Sequence, residues 1–238
     1  MILAILQARM SSSRLPGKVM MDLLGKPMIL RQIERIERSH LIDKLIVATS
    51  TEPSDDGLAK LCEDHNVPCA RGSLKDVLDR FYQAASGYHP EHVVRLTADC
   101  PLADANVIDG VIRKHLQVGS DYCSNVCPPT FPDGLDVEVM TYDALVRSHS
   151  QANSDRYREH VTLYMREHAE LFHLANLSHD SDLSKLRWTV DYPEDLQLVR
   201  QIFSALYPQN PAFDFQNVLA LLRTHPEWQQ LNQAYVVV

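Results

Sequence analysis

The residues best equipped for chemistry lie in one stretch, Gln7-Ala-Arg-Met-Ser-Ser-Ser-Arg-Leu-Pro-Gly-Lys18. Arg9, Arg14 and Lys18 supply cations, consecutive serines supply hydroxyls, and Pro16-Gly17 marks a turn. Residues 1–31 hold Arg9, Arg14, Lys18, Lys26 and Arg31 against Asp22 alone, in a chain whose net charge is −8. A cationic loop on an acidic protein suits a polyanion. Arginine grips phosphate oxygens bidentately, lysine acts as a point charge, and loop N–H groups add their dipoles. A solvated basic turn is the plainer reading of the same residues. Neither Gly-x-x-x-x-Gly-Lys-[Ser/Thr] nor Gly-x-Gly-x-x-Gly occurs. A nucleotide held here is therefore held by another device.

Two aspartates stand in similar places. Leu96-Thr-Ala-Asp-Cys-Pro-Leu102 puts Asp99 just beyond an apolar run, and Trp188-Thr-Val-Asp-Tyr-Pro-Glu-Asp-Leu196 does the same for Asp191. Each reads as a turn or cap residue, and each also reads as a ligand for a hard cation. Mg²⁺ is typically held by one or two carboxylates plus substrate phosphates. If the two runs are strands of one parallel sheet, the carboxylates converge at one edge. Left unpaired they repel, and Mg²⁺ or a neighbouring lysine relieves that. Glu194 and Asp195 read as first-turn partners of a helix dipole.

The elements that must position these groups alternate. Apolar runs at 1–6, 44–50, 66–70 and 92–102 read as strands. Helical spacing covers 28–38, 54–65, 74–86 and 106–118. This alternation predicts a parallel sheet covered on both faces. It places the basic loop outside the carboxyl end of the first strand, where open α/β sheets bind ligands. Beyond residue 120 the pattern changes. Residues 121–140 read as an insertion containing one strand, 135–140. Helices are predicted at 142–149, 155–167, 193–205 and 214–224, and strands at 171–177 and 186–190. No linker or repeat interrupts 1–238, so one domain is expected. The tail, Tyr235-Val-Val-Val238, carries no assignment.

Composition narrows the function. Apolar content of 45% and charged content of 23% are those of a globular protein. No apolar run approaches the roughly 20 residues of a membrane span, and the start lacks the positive n-region of a signal peptide. Five cysteines without a paired framework fit a reducing compartment, so a cytoplasmic protein is expected. The acidic balance argues against nucleic-acid binding. His-Glu-x-x-His is absent, and Cys123-x-x-x-Cys127 has no second pair to complete a zinc site.

The loop, together with Leu24-Gly-Lys-Pro-Met28, resembles the signature of the CMP-sugar synthetases. These cytidylyltransferases activate 3-deoxy-octulosonate and nonulosonic, sialic-acid-like sugars, and the nearest branch is the spore coat polysaccharide biosynthesis protein F type. The resemblance implies a three-layer α/β/α nucleotide-diphospho-sugar transferase (Rossmann-like) fold with a mixed, mostly parallel sheet. It implies the reaction of a sugar with CTP to give CMP-sugar and pyrophosphate, for surface polysaccharide synthesis. Gln7, Ala8, Arg9, Ser11, Arg14, Lys18 and Asp99 would bind nucleotide, with Arg9, Arg14, Lys18 and Asp99 catalytic. Asp99 and Asp191 would ligate Mg²⁺.

Arg71 and Arg80, in a segment similar to the family's, would contact cytidine or phosphate, or form ion pairs with Asp76 and Asp79. Pro132-Asp-Gly-Leu-Asp-Val-Glu-Val139 resembles the stretch that lines the sugar site and contributes to a homodimer contact. Asp136 and Glu138 would hydrogen-bond sugar hydroxyls, or form the wet face of a strand. Arg158 and His160, in Arg156-Tyr-Arg-Glu-His160, would meet an acidic sugar's carboxylate, and Arg187 joins the sugar site. No side chain stands out as general base. Two rivals stay open: a glycosyltransferase of the same fold and a non-catalytic nucleotide-binding module. The first usually carries Asp-x-Asp after the fourth strand, and here the closest pattern is Asp180-Ser-Asp182.

Overall fold

Met1 to Val236 are described by the structure, a computed structural model. Strands β1 (Ile2–Gln7), β2 (Lys44–Ser50), β3 (Cys69–Gly72) and β4 (His92–Thr97) run parallel. They continue into β5 (Tyr122–Ser124), β6 (Glu138–Thr141) and β7 (Leu174–Asn176), in the order β3-β2-β1-β4-β6-β5-β7. β6 runs against both β4 and β5, and β7 lies parallel to β5. The sheet is mixed and mostly parallel, as the resemblance implies.

Side-chain alternation builds the two layers around it. On β1, Leu3 and Ile5 enter one core while Ala4 and Leu6 enter the other, and on β2 Ile46 and Ala48 oppose Val47. Strands buried on both faces read as unbroken apolar runs, which is why these two were visible. One face is covered by α1 (Met28–Ile36), α4 (Ala105–Val118), α8 (Pro193–Leu206) and α9 (Phe215–Thr224), through residues such as Ile33, Ile108, Ile202 and Val218. α2 (Asp56–Asp64) adds Leu58 and Cys62 to that core. The other face is covered by α3 (Val77–Ser86), α5 (Tyr142–Gln151) and α7 (Leu163–Glu167), through Phe81, Leu145 and Met165. The chain steps outward from β1 to β3, then returns on the other side of β1 as β4. At that reversal a cleft opens beyond the carboxyl ends of β1 and β4.

Four expectations change. The stretch 121–140 is no insertion: β6 sits inside the sheet, with Leu135, Val137 and Val139 buried. β5, a three-residue strand, was too short to show a period. The segment 186–190 is extended but bonds to loops: the N–H groups of Trp188 and Thr189 donate to the Asp133 carbonyl, and that of Val190 to the Asp99 carbonyl at 2.8 Å. The helix expected over 155–167 breaks into α6 (Asp155–Glu159) and α7. Between them Val161 is fully buried and Thr162 turns its hydroxyl onto Glu138 at 2.6 Å. Tyr235 stacks on Tyr192 with ring centroids 3.8 Å apart, the Val236 N–H donates to the Gln233 carbonyl at 3.3 Å, and the last two residues of the unassigned tail, 237–238, lie outside the described residues.

Candidate active site

The basic loop leaves β1 at Gln7 and is pinned from below. Asp55, fully buried, accepts the Met10 N–H at 2.7 Å and the Ser50 N–H at 3.1 Å. Burial pushes the Asp55 carboxyl up, but these bonds and that of the Ser50 hydroxyl outweigh it and hold it below the usual range. The Met10 carbonyl in turn accepts from Ser12 and Gly17. Gly17 has φ 73, a left-handed conformation that glycine adopts without penalty. The loop then drops Lys18 into the cleft, where the residue is 7% exposed.

The Lys18 ammonium donates to Asp99 at 3.2 Å, to the Val190 carbonyl at 2.8 Å and to Asp191 at 2.9 Å. All three of its protons are used. The two aspartates, distant in sequence, thus flank one nitrogen. The repulsion expected between them is relieved by this lysine. Asp191 also meets Arg14 at 2.8 Å and Arg187 at 3.1 Å. Burial raises the Asp99 carboxyl, but the Lys18 charge and hydrogen bonds outweigh it and hold it below its ordinary value. The other Asp99 oxygen takes only a long contact from the Cys100 thiol, at 3.5 Å, among the described hydrogen bonds.

Behind Asp191 lies a second layer of charge. Asp195 is fully buried and accepts from Arg187 on both oxygens at 3.0 Å. It also takes the N–H groups of Asp191 and Tyr192 and the Asn232 amide. Arg187 completes its fork with Asp133 at 3.0 Å. Three neighbouring carboxylates raise the Arg187 pKa against the downward pull of burial.

A cavity of about 240 Å³ is lined by Gln7, Arg9, Arg14, Lys18, Asp99 and Asp191, together with Ala8, Ser12 and Ser13. A second, of about 210 Å³, adjoins it through Arg95 and Thr97 and adds Asp136, Glu138 and Arg166. Arg95 holds this junction. It pairs with Glu138 from the neighbouring strand and reaches Gln7 Oε1 at 3.2 Å, while its Nε is buried without a partner. Glu138 accepts further from Tyr122 at 2.5 Å and Thr162 at 2.6 Å. Burial raises the Glu138 carboxyl, but Arg95 and these hydroxyls hold it below the usual range.

Comparison with known proteins decides what this cleft belongs to. The cytidylyltransferase family pattern matches residues 3–222. The chain belongs to the cytidylyltransferase family. It is therefore a CTP-dependent nucleotidyltransferase. It is 33% identical to the spore coat polysaccharide biosynthesis protein SpsF of Bacillus subtilis, over 95% of each chain. A solved cytidylyltransferase of Leptospira borgpetersenii superposes with a TM-score of 0.91 at 29% identity, covering 96% of each chain. A CMP:2-keto-3-deoxy-manno-octonic acid synthetase complexed with CTP shares the fold, with a TM-score of 0.64 at 15% identity, over 86% of this chain and 98% of that one.

Within this cytidylyltransferase the cleft gathers Gln7, Ala8, Arg9, Arg14, Lys18, Asp99 and Asp191. Several other sequence-predicted positions fall elsewhere. Ser11 does not line the cavity; Ser12 and Ser13 do. Arg71 staples β3 to the turn after β2, donating to the carbonyls of Ser50 at 2.8 Å and Glu52 at 3.1 Å, and it lines a different groove. Arg80 is buried beneath Gly72, with Nε and Nη2 unpartnered. Burial first, then the charges of Arg9 and Arg95, lower its pKa to about 10. Its expected ion pairs do not form, because Asp76 is taken by Arg158 and Asp79 by His149.

The sugar-site expectations change most. Arg158 locks onto Asp76, the cap of α3, through three hydrogen bonds of 2.7–2.9 Å. His160 is exposed at the end of α6, and neither residue lines the cavity with Asp136 and Glu138. Arg187 is committed to carboxylates, and Glu138 is saturated by donors. Both therefore position other groups. Asp136 does line that cavity. Arg95, Arg166, Asp55 and the hub role of Asp195 escaped the sequence reading. Arg95 left a signal, one charge inside the apolar run of β4.

The donor set suits Mg²⁺ in kind: two carboxylates flank one point, and a phosphate-bearing substrate supplies further oxygens. Among the described residues no group of three or more His, Cys, Asp and Glu could hold a metal ion. The point between the aspartates is taken by the Lys18 ammonium. Only Asp99 offers an open oxygen, and Asp191 is held by three cations.

Proposed function

We propose that this cytidylyltransferase joins CTP to an acidic sugar of the octulosonic or nonulosonic type, releasing pyrophosphate and forming a CMP-sugar for surface polysaccharide synthesis. The observation that carries this reading is the pair of adjoining cavities. One presents Arg9, Arg14 and Lys18, a surface for a triphosphate. The other presents Arg95 and Arg166, two guanidinium groups suited to an anionic acceptor, with Asp136 to accept from a hydroxyl. SpsF, named for spore coat polysaccharide synthesis, supports the destination of the product.

The chemistry is mainly positioning and charge neutralisation. Arg9 and Arg14 stand at the cavity wall, and Arg14 is half exposed, able to leave Asp191 for a phosphate oxygen. Lys18 bridges Asp99 and Asp191 and presents positive charge to the same space. Asp99 and Asp191 would hold Mg²⁺. Bound there, the metal would polarise the α-phosphate and offset the charge that develops on it. Arg187 and Asp195 keep Asp191 in place. A homodimer and a cytoplasmic location complete the proposal. The dimer rests on the family resemblance of residues 132–139, and the location rests on five unpaired cysteines.

The test is pyrophosphate release. CTP and Mg²⁺ with 3-deoxy-octulosonate or N-acetylneuraminate should yield pyrophosphate and a CMP-sugar. A neutral hexose that is turned over equally well would overturn the acidic-acceptor reading. Transfer from a finished nucleotide-sugar without pyrophosphate would overturn the reaction class.

A further inference from the structure

Six carboxylates surround the cleft, and five of them have a cationic partner. Asp99 has Lys18, Asp133 and Asp195 have Arg187, Asp191 has Lys18, Arg14 and Arg187, and Glu138 has Arg95. Asp136 makes no salt bridge with any described residue. Its one hydrogen bond among the described residues comes from the Gly134 N–H at 3.4 Å, a long one. Its place is equally particular. It lines the cavity that adjoins the Lys18 cleft through Arg95 and Thr97.

The loop geometry is built to put it there. Gly134 has φ 111, and a Cβ at that position would run into the backbone of Trp188 and Thr189. The chain therefore packs flush against the segment that leads to Asp191. Two residues later Asp136 lines the second cavity, together with Arg95 and Thr97. Leu135 and Val137, pointing the other way, are each 2% exposed.

We infer that Asp136 is the general base of the transfer, taking the proton from the acceptor hydroxyl that attacks the α-phosphorus. This rests on the proposed function above and supplies the group it lacks. The hydroxyl gives its proton to the Asp136 carboxylate, and its oxygen forms the new O–P bond. The bond from the α-phosphorus to the bridging oxygen breaks, and pyrophosphate leaves with that electron pair. Asp136 then releases the proton to solvent. Each of the other cleft carboxylates is engaged by at least one cation, and Asp99 and Glu138 are held below their ordinary range by theirs.

The electrostatics agree. Burial, and then the negative charges of Asp133, Asp99 and Glu138, push the Asp136 carboxyl up to about 7, with the Gly134 N–H acting against them. The cations facing the same space are Arg95 on β4, Arg166 on α7 and Arg187 before α8. Arg95 and Arg187 are already matched by Glu138 and by the aspartates of their own network. A base with a pKa near the working pH combines the right protonation state with enough driving force.

Two measurements test this. In the first, protein labelled with ¹³C at the aspartate carboxyls is titrated by NMR. One carboxyl signal should titrate near pH 7 and vanish in Asp136→Asn. A spectrum in which every aspartate is ionised by pH 5 overturns the inference, whatever the acceptor proves to be. In the second, Asp136→Asn and Asp136→Glu are assayed with CTP, Mg²⁺ and whichever of 3-deoxy-octulosonate and N-acetylneuraminate the unaltered enzyme uses. Asp136→Asn should lose about 100- to 10,000-fold in kcat and the rise of rate through pH 7, while its thermal shift with CTP persists. Asp136→Glu should recover part of both. If Asp136→Asn keeps the normal rate and pH profile, Asp136 is not the base, although the proposed reaction stands. If the unaltered enzyme uses neither sugar, the acceptor reading fails and the NMR titration still decides.

Discussion

Replacing Lys18 by methionine keeps most of its volume and removes its charge and three donors. A loop cation read from sequence should cost function and little stability, but this one is buried. Its removal strands the Val190 carbonyl and takes the only cation from Asp99, while Asp191 keeps Arg14 and Arg187. A buried acceptor left without a partner costs about 1–3 kcal/mol. A charged hydrogen bond contributes about 1.5–3 kcal/mol, discounted at Asp99, whose side chain is 29% exposed. Together these give a loss on the order of 2–4 kcal/mol at pH 7. Each kcal/mol lowers Tm by roughly 2–4 °C in a domain of this size.

The pH dependence has a definite sign. In the folded protein burial raises the Asp99 carboxyl and Lys18 more than reverses that, leaving it below its ordinary value. Its contribution is present above the unfolded pKa, about 3.9, and is lost as pH falls through the lower folded value. The gap between the variant and the unaltered protein should therefore narrow below about pH 4. Urea unfolding at pH 7 and at pH 3.5, with and without CTP, measures both. Equal stability at pH 7, or a gap that widens in acid, would refute the buried-bridge account. Normal CTP affinity in the variant would refute the role of Lys18 in nucleotide binding.

Other outcomes follow from the same geometry. Asp191→Asn leaves Lys18, Arg14 and Arg187 without their shared carboxylate and should cost about 3–5 kcal/mol, more than Asp99→Asn; both should abolish pyrophosphate release, and equal Tm values for the two would contradict this ranking. CTP with Mg²⁺ should raise Tm more than ATP, GTP or UTP, and a larger shift with UTP or GTP would overturn the choice of base at the site. Arg158→Ala should lower stability by on the order of 1 kcal/mol and leave the acceptor KM unchanged; a raised KM would return Arg158 to the sugar site. Light scattering should show a dimer at micromolar concentration, and a monomer would remove that part of the proposal.

The alternating half of the chain was legible because its strands are buried on both faces and its helices carry apolar stripes. Lys18, Asp99 and Asp191 could be named because a strand end, an extended apolar segment and one polar loop meet where the sheet reverses direction. What could not be read were pairings across the chain. Arg158 looks like a ligand group until Asp76, 82 positions away, closes on it. Arg187 looks the same until Asp195 is found buried beneath it. Arg71 and Arg80 match a motif, yet one becomes a backbone staple and the other a charge under the floor. Composition and spacing give the kind of side chain, and only tertiary contact says which donors are already spent. The reversed strand β6 was missed as part of the sheet for a related reason. Its flanking turns carry the marks of a loop, and its partner β4 is far away in sequence.

That reversed strand has a mechanical consequence. Arg95 and Glu138 are register partners on β4 and β6, so the wall between the two cavities is a continuous hydrogen-bonded ladder. Many enzymes that join two substrates close one lobe onto another about a flexible joint. Here no such joint lies between the triphosphate side and the acceptor side, because the ladder crosses the boundary without a seam. The span from Lys18 to Asp136 is thus set by strand spacing, a stiff dimension. Adaptation to acceptors of different size must fall to the loops at 125–136 and 178–186, and changes of acceptor among relatives should be written there and not in the sheet.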